Sequence, residues 1–446
     1  MTSISSLYLA TDGFAGLQEV IAVLRAKGYQ TIGPVVRGAV MLAEVHHAGE
    51  LARGVSDVQE KGSYRLDKNE SAGFFAHNLG PMSWKTFLFP PRSKLWSVTS
   101  VCPELNEAKE TPTAVCANKA HKGGFDAVIP ANSEQTPTKE GRVLPNEMQE
   151  APLAFIGVRA CDAAAIAVQD RVFLCRSPES HYAARRRKLF ILTVHCSTAA
   201  RTCFCPSLGT GPEFPFDSET NDFAAGEENG LEETKRDGTA HGSGDIACTP
   251  GKEAGSFYFR ALSRRGKEVL EEVAALLAPE KFLSCSQDSA TYLCHVQQVL
   301  RRTKDSIVRS MDQKNIKNEI AARLGSNVWQ AFGDACLGCA NCTLVCPTCF
   351  CSSISDSTAV SGSVAERFEN WDSCFNIDFS YTHGGARRES VASRYRQWFS
   401  HKFSSWHDQF GSSGCVGCGR CIAWCPVGID VTESLLTLKK EGRHEE

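Results

Sequence analysis

The first regular pattern along the chain runs from Gly13 to Lys27. Phe14, Leu17, Val20, Ile21 and Leu24 recur there at helical spacing behind Asp12, a good N-cap, and the run stops at Gly28. An amphipathic helix is predicted. From Thr31 to Val45, β-branched residues interrupted by Arg37 and Gly38 predict a hairpin. Leu153 to Val158 and Leu189 to Val194 are unbroken apolar runs on either side of a helical stretch, Ala163 to Val168. Together they predict a βαβ unit whose sheet is covered on both faces. Residues 266–277 and 288–325 read as further helices. Between Val391 and Phe410, Tyr395, Trp398, Phe399, Phe403 and Trp406 form an aromatic stripe flanked by Lys402 and several arginines. Such a stripe is expected to face a core, with His383, His401 and His407 as packing or surface residues. Residues 103–150 and 214–255 lose all periodicity and read as inserted loops. The pattern predicts a mixed α/β domain over 1–285 and a mainly helical domain over 286–446.

Composition changes one part of this picture. The 446 residues are 42% hydrophobic and 22% charged, with 48 basic against 51 acidic side chains, as in an ordinary globular protein. No basic excess draws such a chain to nucleic acid, and no run approaches the ~18 apolar residues of a membrane span. The N-terminus lacks a basic n-region and an h-region, so a cytoplasmic location is expected. The exception is cysteine, of which there are 21. In a reducing compartment, clustered thiols mean metal binding or redox chemistry rather than disulfides.

Their spacing is informative. Cys336, Cys339, Cys342 and Cys346 precede Pro347, and Cys415, Cys418, Cys421 and Cys425 precede Pro426, both as C-x2-C-x2-C-x3-C-P. Three thiolates at that pitch wrap a cubane, while the fourth reaches the other cluster of a pair. Cys336, Cys339, Cys342 and Cys425 are therefore assigned to one [4Fe-4S] cluster, and Cys415, Cys418, Cys421 and Cys346 to a second. Structural zinc uses two knuckles a dozen or more residues apart, whereas here four sulfurs fall within eleven positions. The C-terminal domain is thus expected to be ferredoxin-like, elaborated by the 68 residues between the motifs.

Thr-Cys-Phe-Cys occurs at 202–205 and again at 348–351. Cys161 and Cys196 follow the two apolar strands, at the edge where open α/β sheets place ligands. With Cys203 and Cys205 they make a candidate third cluster site; the alternative is a set of buried free thiols. Cys349, Cys351 and Cys374 form a further group of three without an obvious fourth ligand. Cys175, Cys285, Cys294, Cys102, Cys116 and Cys248 lack metal spacing. The run Arg185 to Lys188 reads as a solvated helix end. No glycine-rich phosphate loop follows a strand, so no flavin, nicotinamide or nucleotide site is recognised.

These motifs, together with segments 29–37, 80–91, 155–162, 169–173, 209–212, 371–374 and 414–430, resemble the β subunit of sulfhydrogenase-type nickel–iron hydrogenases. The closely similar iron–sulfur subunit of anaerobic sulfite reductase is resembled as well. Departures fall in 103–150, in 214–255 and at Ala160, where relatives often carry Pro. The resemblance implies an electron-transfer subunit between an NAD(P)H-linked flavin subunit and the small and large hydrogenase subunits. No catalytic residue is expected in this chain. Two alternatives stay open, the relay subunit of a sulfite reductase and a self-sufficient cluster-based disulfide or sulfur reductase.

Overall fold

The computed structural model describes residues 8–99, 142–145, 151–175, 180–214, 244–251, 255–277 and 289–441. The chain forms two compact units, one of residues 1–91, 149–352 and 371–446, the other of 92–148 and 353–370. Both predicted domains contribute to the first unit.

The first unit is built on a seven-stranded sheet in the order Tyr8–Asp12, Ser256–Ala261, Ile246–Pro250, Phe190–Val194, Leu153–Val158, Gln30–Arg37 and Ala39–Glu44. The four strands from Ile246–Pro250 to Gln30–Arg37 are parallel, and the outer pairings are antiparallel. The predicted hairpin is the edge pair, with Val36 opposite Val40. The predicted βαβ unit supplies the centre.

Alternation along one strand explains the two layers. Ala154 and Ile156 join a core with Leu17, Ile21 and Leu24 of the helix Gly13–Ala26 and with Val269 and Leu270 of the helix Arg264–Leu276. Leu153 and Phe155 face the other way, toward Ala163, Ile166 and Phe173 of the helix Ala160–Phe173. Period two places successive side chains on opposite faces, and both faces are covered. Asp12 caps the first helix by accepting from the Ala15 N–H at 2.9 Å, a contact contributing about 1 kcal/mol.

One strand departs from expectation. Ile246–Pro250 lies within the stretch 214–255 that reads as a loop, yet it is an inner strand, with Ile246, Ala247 and Cys248 fully buried. Three apolar residues among Gly, Asp and Thr give too short a signal, whereas sheet pairing on both sides fixes the segment. Residues 215–243 lie outside the described residues.

The helical part begins with Ser289–Ser306 and continues through Ile316–Ala322 and Val328–Ala335. The aromatic stripe is core, as its spacing predicts: Tyr395, Trp398, Phe399 and Phe403 pack with Trp329, Ile320, Ile422 and Leu435. The stripe is not one straight helix. Val391–Ser400 passes through a π turn, His401–Ser405, into Trp406–Phe410.

In the second unit, Arg92–Thr99 and Arg142–Pro145 share a four-stranded sheet with Ser352–Thr358 and Val364–Trp371. Arg142–Pro145 falls inside the predicted insertion at 103–150; the rest of that insertion, 103–141 and 146–150, lies outside the described residues.

Candidate metal centre

The two cysteine motifs adopt the same local shape. Cys336 closes the helix Val328–Ala335, the chain turns through Gly338 and Ala340 at φ 64° and 66°, and Cys342 sits in the short helix Asn341–Leu344. In the second copy the turning residues are Gly417 and Gly419, at φ 64° and 71°, ahead of the helix Arg420–Ala423 that carries Cys421. Left-handed backbone suits glycine, and Ala340 bears a cost of about 1–2 kcal/mol there. In each loop a glycine N–H points at the first sulfur, Gly338 to Cys336 at 3.3 Å and Gly417 to Cys415 at 3.4 Å.

Cys336, Cys339, Cys342 and Cys425 line one apolar cleft with Phe375, Tyr395 and Trp398. Burial pushes the Cys342 thiol well above its usual value, and the neighbouring Cys336, Cys346 and Cys425 push it further. The second set also gathers: burial raises Cys421, and then Cys415, Cys418 and Cys346 add to the shift. Cys421 itself lines the first cleft, so the two sets share a wall. Among the described residues no three His, Cys, Asp or Glu side chains are arranged to hold a single metal ion. One thiolate on each corner iron of a cubane requires sulfurs set around a space, which is the arrangement of the first cleft.

Cys346 behaves differently from its partners. A hydrogen bond from Cys349 holds it well below the usual thiol range against the effect of burial, with Lys402 and Thr348 adding to the lowering. Lys402 stands on the π turn and is buried. Its Nζ donates to Cys346 Sγ at 3.3 Å, Thr348 Oγ1 at 3.0 Å and the Gly414 carbonyl at 3.2 Å. All three ammonium protons are thereby used.

A second cleft brings together Cys161, Cys196, Cys203 and Cys205, and Cys418 lines it too. Cys161 starts the helix Ala160–Phe173, whose Ala165 and Val168 pack on Val416 and Trp406. Thr202–Cys205 lies directly under the second motif: Phe204 N–H donates to the Gly417 carbonyl at 2.8 Å, and Thr210 Oγ1 to the Val416 carbonyl at 2.7 Å. A Cβ on Gly417 would stand 2.6 Å from the Cys205 backbone, and one on Gly419 2.2 Å from the Thr202 carbonyl oxygen. The close approach requires glycine at both positions.

Two buried arginines flank this cleft. Arg159 donates to Asn78 Oδ1 at 2.7 Å and to the carbonyls of Thr198, Phe75 and His77, and one nitrogen lies 3.8 Å from Cys196 Sγ. Arg420 pairs with Asp162 at 2.8 Å, with 6% and 1% of the two side chains exposed. Yet Arg420 Nη1 and Asp162 Oδ2 are buried with no hydrogen-bond partner. An unsatisfied guanidinium donor beside five thiols suits a sulfide-bearing anionic group. Burial raises all four N-terminal thiols, Cys203 to about 12. Loading metal there must release protons.

Sequence reasoning found the cysteines but assigned no role to Lys402, Arg159, Asp162 or Arg420, although three of these stand inside quoted motifs. Among the unassigned thiols, Cys248 is core and Cys175 and Cys294 are exposed. Cys102, Cys116 and Cys285 lie outside the described residues. No described helix is long and apolar enough to cross a membrane.

Comparison with known proteins agrees with this geometry. Residues 335–429 match the model of the 4Fe-4S dicluster domain. The chain is 28% identical over 294 residues to Sulfhydrogenase 2 subunit beta of Pyrococcus furiosus, an alignment covering 65% of this chain and 76% of that protein. The chain therefore carries a 4Fe-4S dicluster domain and is an iron–sulfur protein similar to the β subunit of a sulfhydrogenase.

Proposed function

We propose that this chain is the electron-relay subunit of a hydrogenase-type complex. It would carry electrons between a flavin-bearing, NAD(P)H-linked subunit and the small and large subunits that hold nickel and iron. The observation that carries this reading is the continuity of the sulfur sites. Cys421 belongs to the second motif and lines the first motif's cleft, while Cys418 lines the cleft of Cys161, Cys196, Cys203 and Cys205. Bound clusters supply reversible one-electron chemistry. The chain's own part is to hold them in sequence, exclude water with Phe375, Tyr395 and Trp398, and balance their charge with Lys402, Arg159 and Arg420.

Cys336, Cys339, Cys342 and Cys425 would ligate one cluster, Cys415, Cys418, Cys421 and Cys346 the second, and Cys161, Cys196, Cys203 and Cys205 the third. Three cubanes require about twelve irons per chain. Iron and acid-labile sulfide analysis of anaerobically purified protein is expected to give that number, whereas about eight would remove the third site. Zinc in place of iron would end the relay reading. Isolation of the native complex tests the partners: nickel-bearing subunits support the proposal, and a sirohaem subunit would move the chain to a sulfite reductase.

A further inference from the structure

The helix Val391–Ser400 carries Arg394 and Trp398 one turn apart, so the two side chains share a face. That face meets the first cysteine motif. Trp398 lines the cleft of Cys336, Cys339, Cys342 and Cys425, and Arg394 Nη2 stands 3.7 Å from the point where a Cβ on Gly338 would lie. The two residues are only 4% and 9% exposed. Each nevertheless holds a buried nitrogen, Trp398 Nε1 and Arg394 Nε, without a hydrogen-bond partner among the described residues.

The neighbouring polar groups are engaged. Arg394 Nη1 donates to the carbonyls of Arg388 at 3.0 Å and Glu389 at 2.6 Å, which fixes the guanidinium in place. On the cleft wall, the Tyr395 hydroxyl lies 2.9 Å from Ser434 Oγ, and Asn341 Nδ2 donates to the Trp424 carbonyl at 3.4 Å. Trp398 and Arg394 therefore keep two buried donors beside a cleft that no charged residue lines. Folded proteins rarely leave such donors unmet, because burial strips them of water without return. No cysteine sulfur accepts from either nitrogen. The acceptor that suits both is a group carrying sulfide and negative charge.

We propose that Trp398 and Arg394 are donors to the cluster of the Cys336 set and raise its reduction potential. The inference rests on the relay reading and adds to it what sets the potential of one station. Reduction places an extra electron on the cluster. An indole N–H dipole and a guanidinium charge both stabilise that state, and hydrogen bonding to cluster sulfurs is a principal control of potential. Each of the three proposed clusters then has a buried cation against it: Arg394 at the first, Lys402 at the second, Arg159 and Arg420 at the third.

The test uses the full chain, purified anaerobically with ¹⁵N in the indole ring of tryptophan, reduced and examined by pulsed EPR. A ¹⁵N hyperfine coupling is expected in the unaltered protein. It should vanish in Trp398→Phe at unchanged iron content and persist in Trp424→Phe, whose Nε1 is also buried and unpartnered but which does not line the cleft. In redox titrations one midpoint should fall in Trp398→Phe and fall further in Arg394→Gln, with Arg394→Lys recovering part of the loss. Absence of coupling, a coupling that disappears with Trp424, or unmoved midpoints overturn the proposal. Cys339→Ser separates the two levels of inference. If it leaves iron and spectra unchanged, the cluster assignment fails and this proposal with it; if it alters a cluster that Trp398→Phe and Arg394→Gln leave alone, only this proposal fails. Should Trp398→Phe fail to fold, the coupling in the unaltered chain and its fate in Trp424→Phe decide.

Discussion

Two buried side chains, Lys402 and His77, carry consequences that follow from charge. Lys402 donates to a proposed ligand sulfur, and a hydrogen bond involving a charged group contributes about 1.5–3 kcal/mol. Reducing a cluster adds negative charge, so this cation favours the reduced state. Lys402→Met is expected to lower the midpoint potential of the cluster at Cys346 and to spare that of the Cys161 set, as read by EPR-monitored redox titration. Two unchanged midpoints would count against the role. His77 is held neutral, burial and then the Arg159 charge lowering it to about 3. The unfolded histidine titrates near 6.5, so between about 6.5 and 3 the unfolded chain binds the extra proton and stability falls with falling pH. The slope is about 1.4 kcal/mol per pH unit, and above about pH 6.5 the group has no effect. His77→Gln should shrink the difference in melting temperature between pH 7 and pH 5; an undiminished difference would assign the acid sensitivity elsewhere.

At the scale of elements, the loops of the second motif are held more tightly than their cysteines alone require. A methyl group on Gly419 would stand 2.2 Å from the Thr202 carbonyl oxygen, a backbone atom that cannot swing aside as a side chain could. Gly419→Ala is therefore expected to push the 415–421 loop off Thr202–Cys205 and cost about four irons per chain, the content of one cubane. The sheet should survive, with its far-ultraviolet circular dichroism unchanged; full iron retention would show that the loop yields. Much at this scale was legible beforehand. The apolar runs at 153–158 and 189–194 gave the parallel core, and the aromatic stripe gave the helical core, because burial on fixed faces leaves a period in the sequence. The strand Ile246–Pro250 was not legible, since its pairing comes from neighbours on both sides. Nor was the position of Lys402, because the π turn breaks the 3.6-residue period on which the stripe was read.

For the whole molecule, the decisive partners are far apart in sequence. That the cysteines of each C-terminal motif lie close together was readable from their spacing, because one short loop carries three of them. Asp162 and Arg420 were not, for 258 positions separate them and neither has a local signature of pairing. Removing one charge from a buried pair costs about 3–5 kcal/mol, since the other is left uncompensated. Arg420→Gln is expected to destabilise by that amount, and Asp162→Asn in the same chain to recover much of it, as measured by chemical denaturation. Simple additivity of the two changes would refute the coupling.

The same long reach sets an order of events during synthesis. Chains emerge N-terminus first, and domains fold as they appear. Cys161, Cys196, Cys203 and Cys205 leave the ribosome more than two hundred residues before Gly417, Cys418 and Arg420 arrive to close over them. Throughout that interval the nascent sulfurs have Arg159 beside them but lack the second motif and Arg420. The proposed third site is therefore complete only once residues 415–421 have been made.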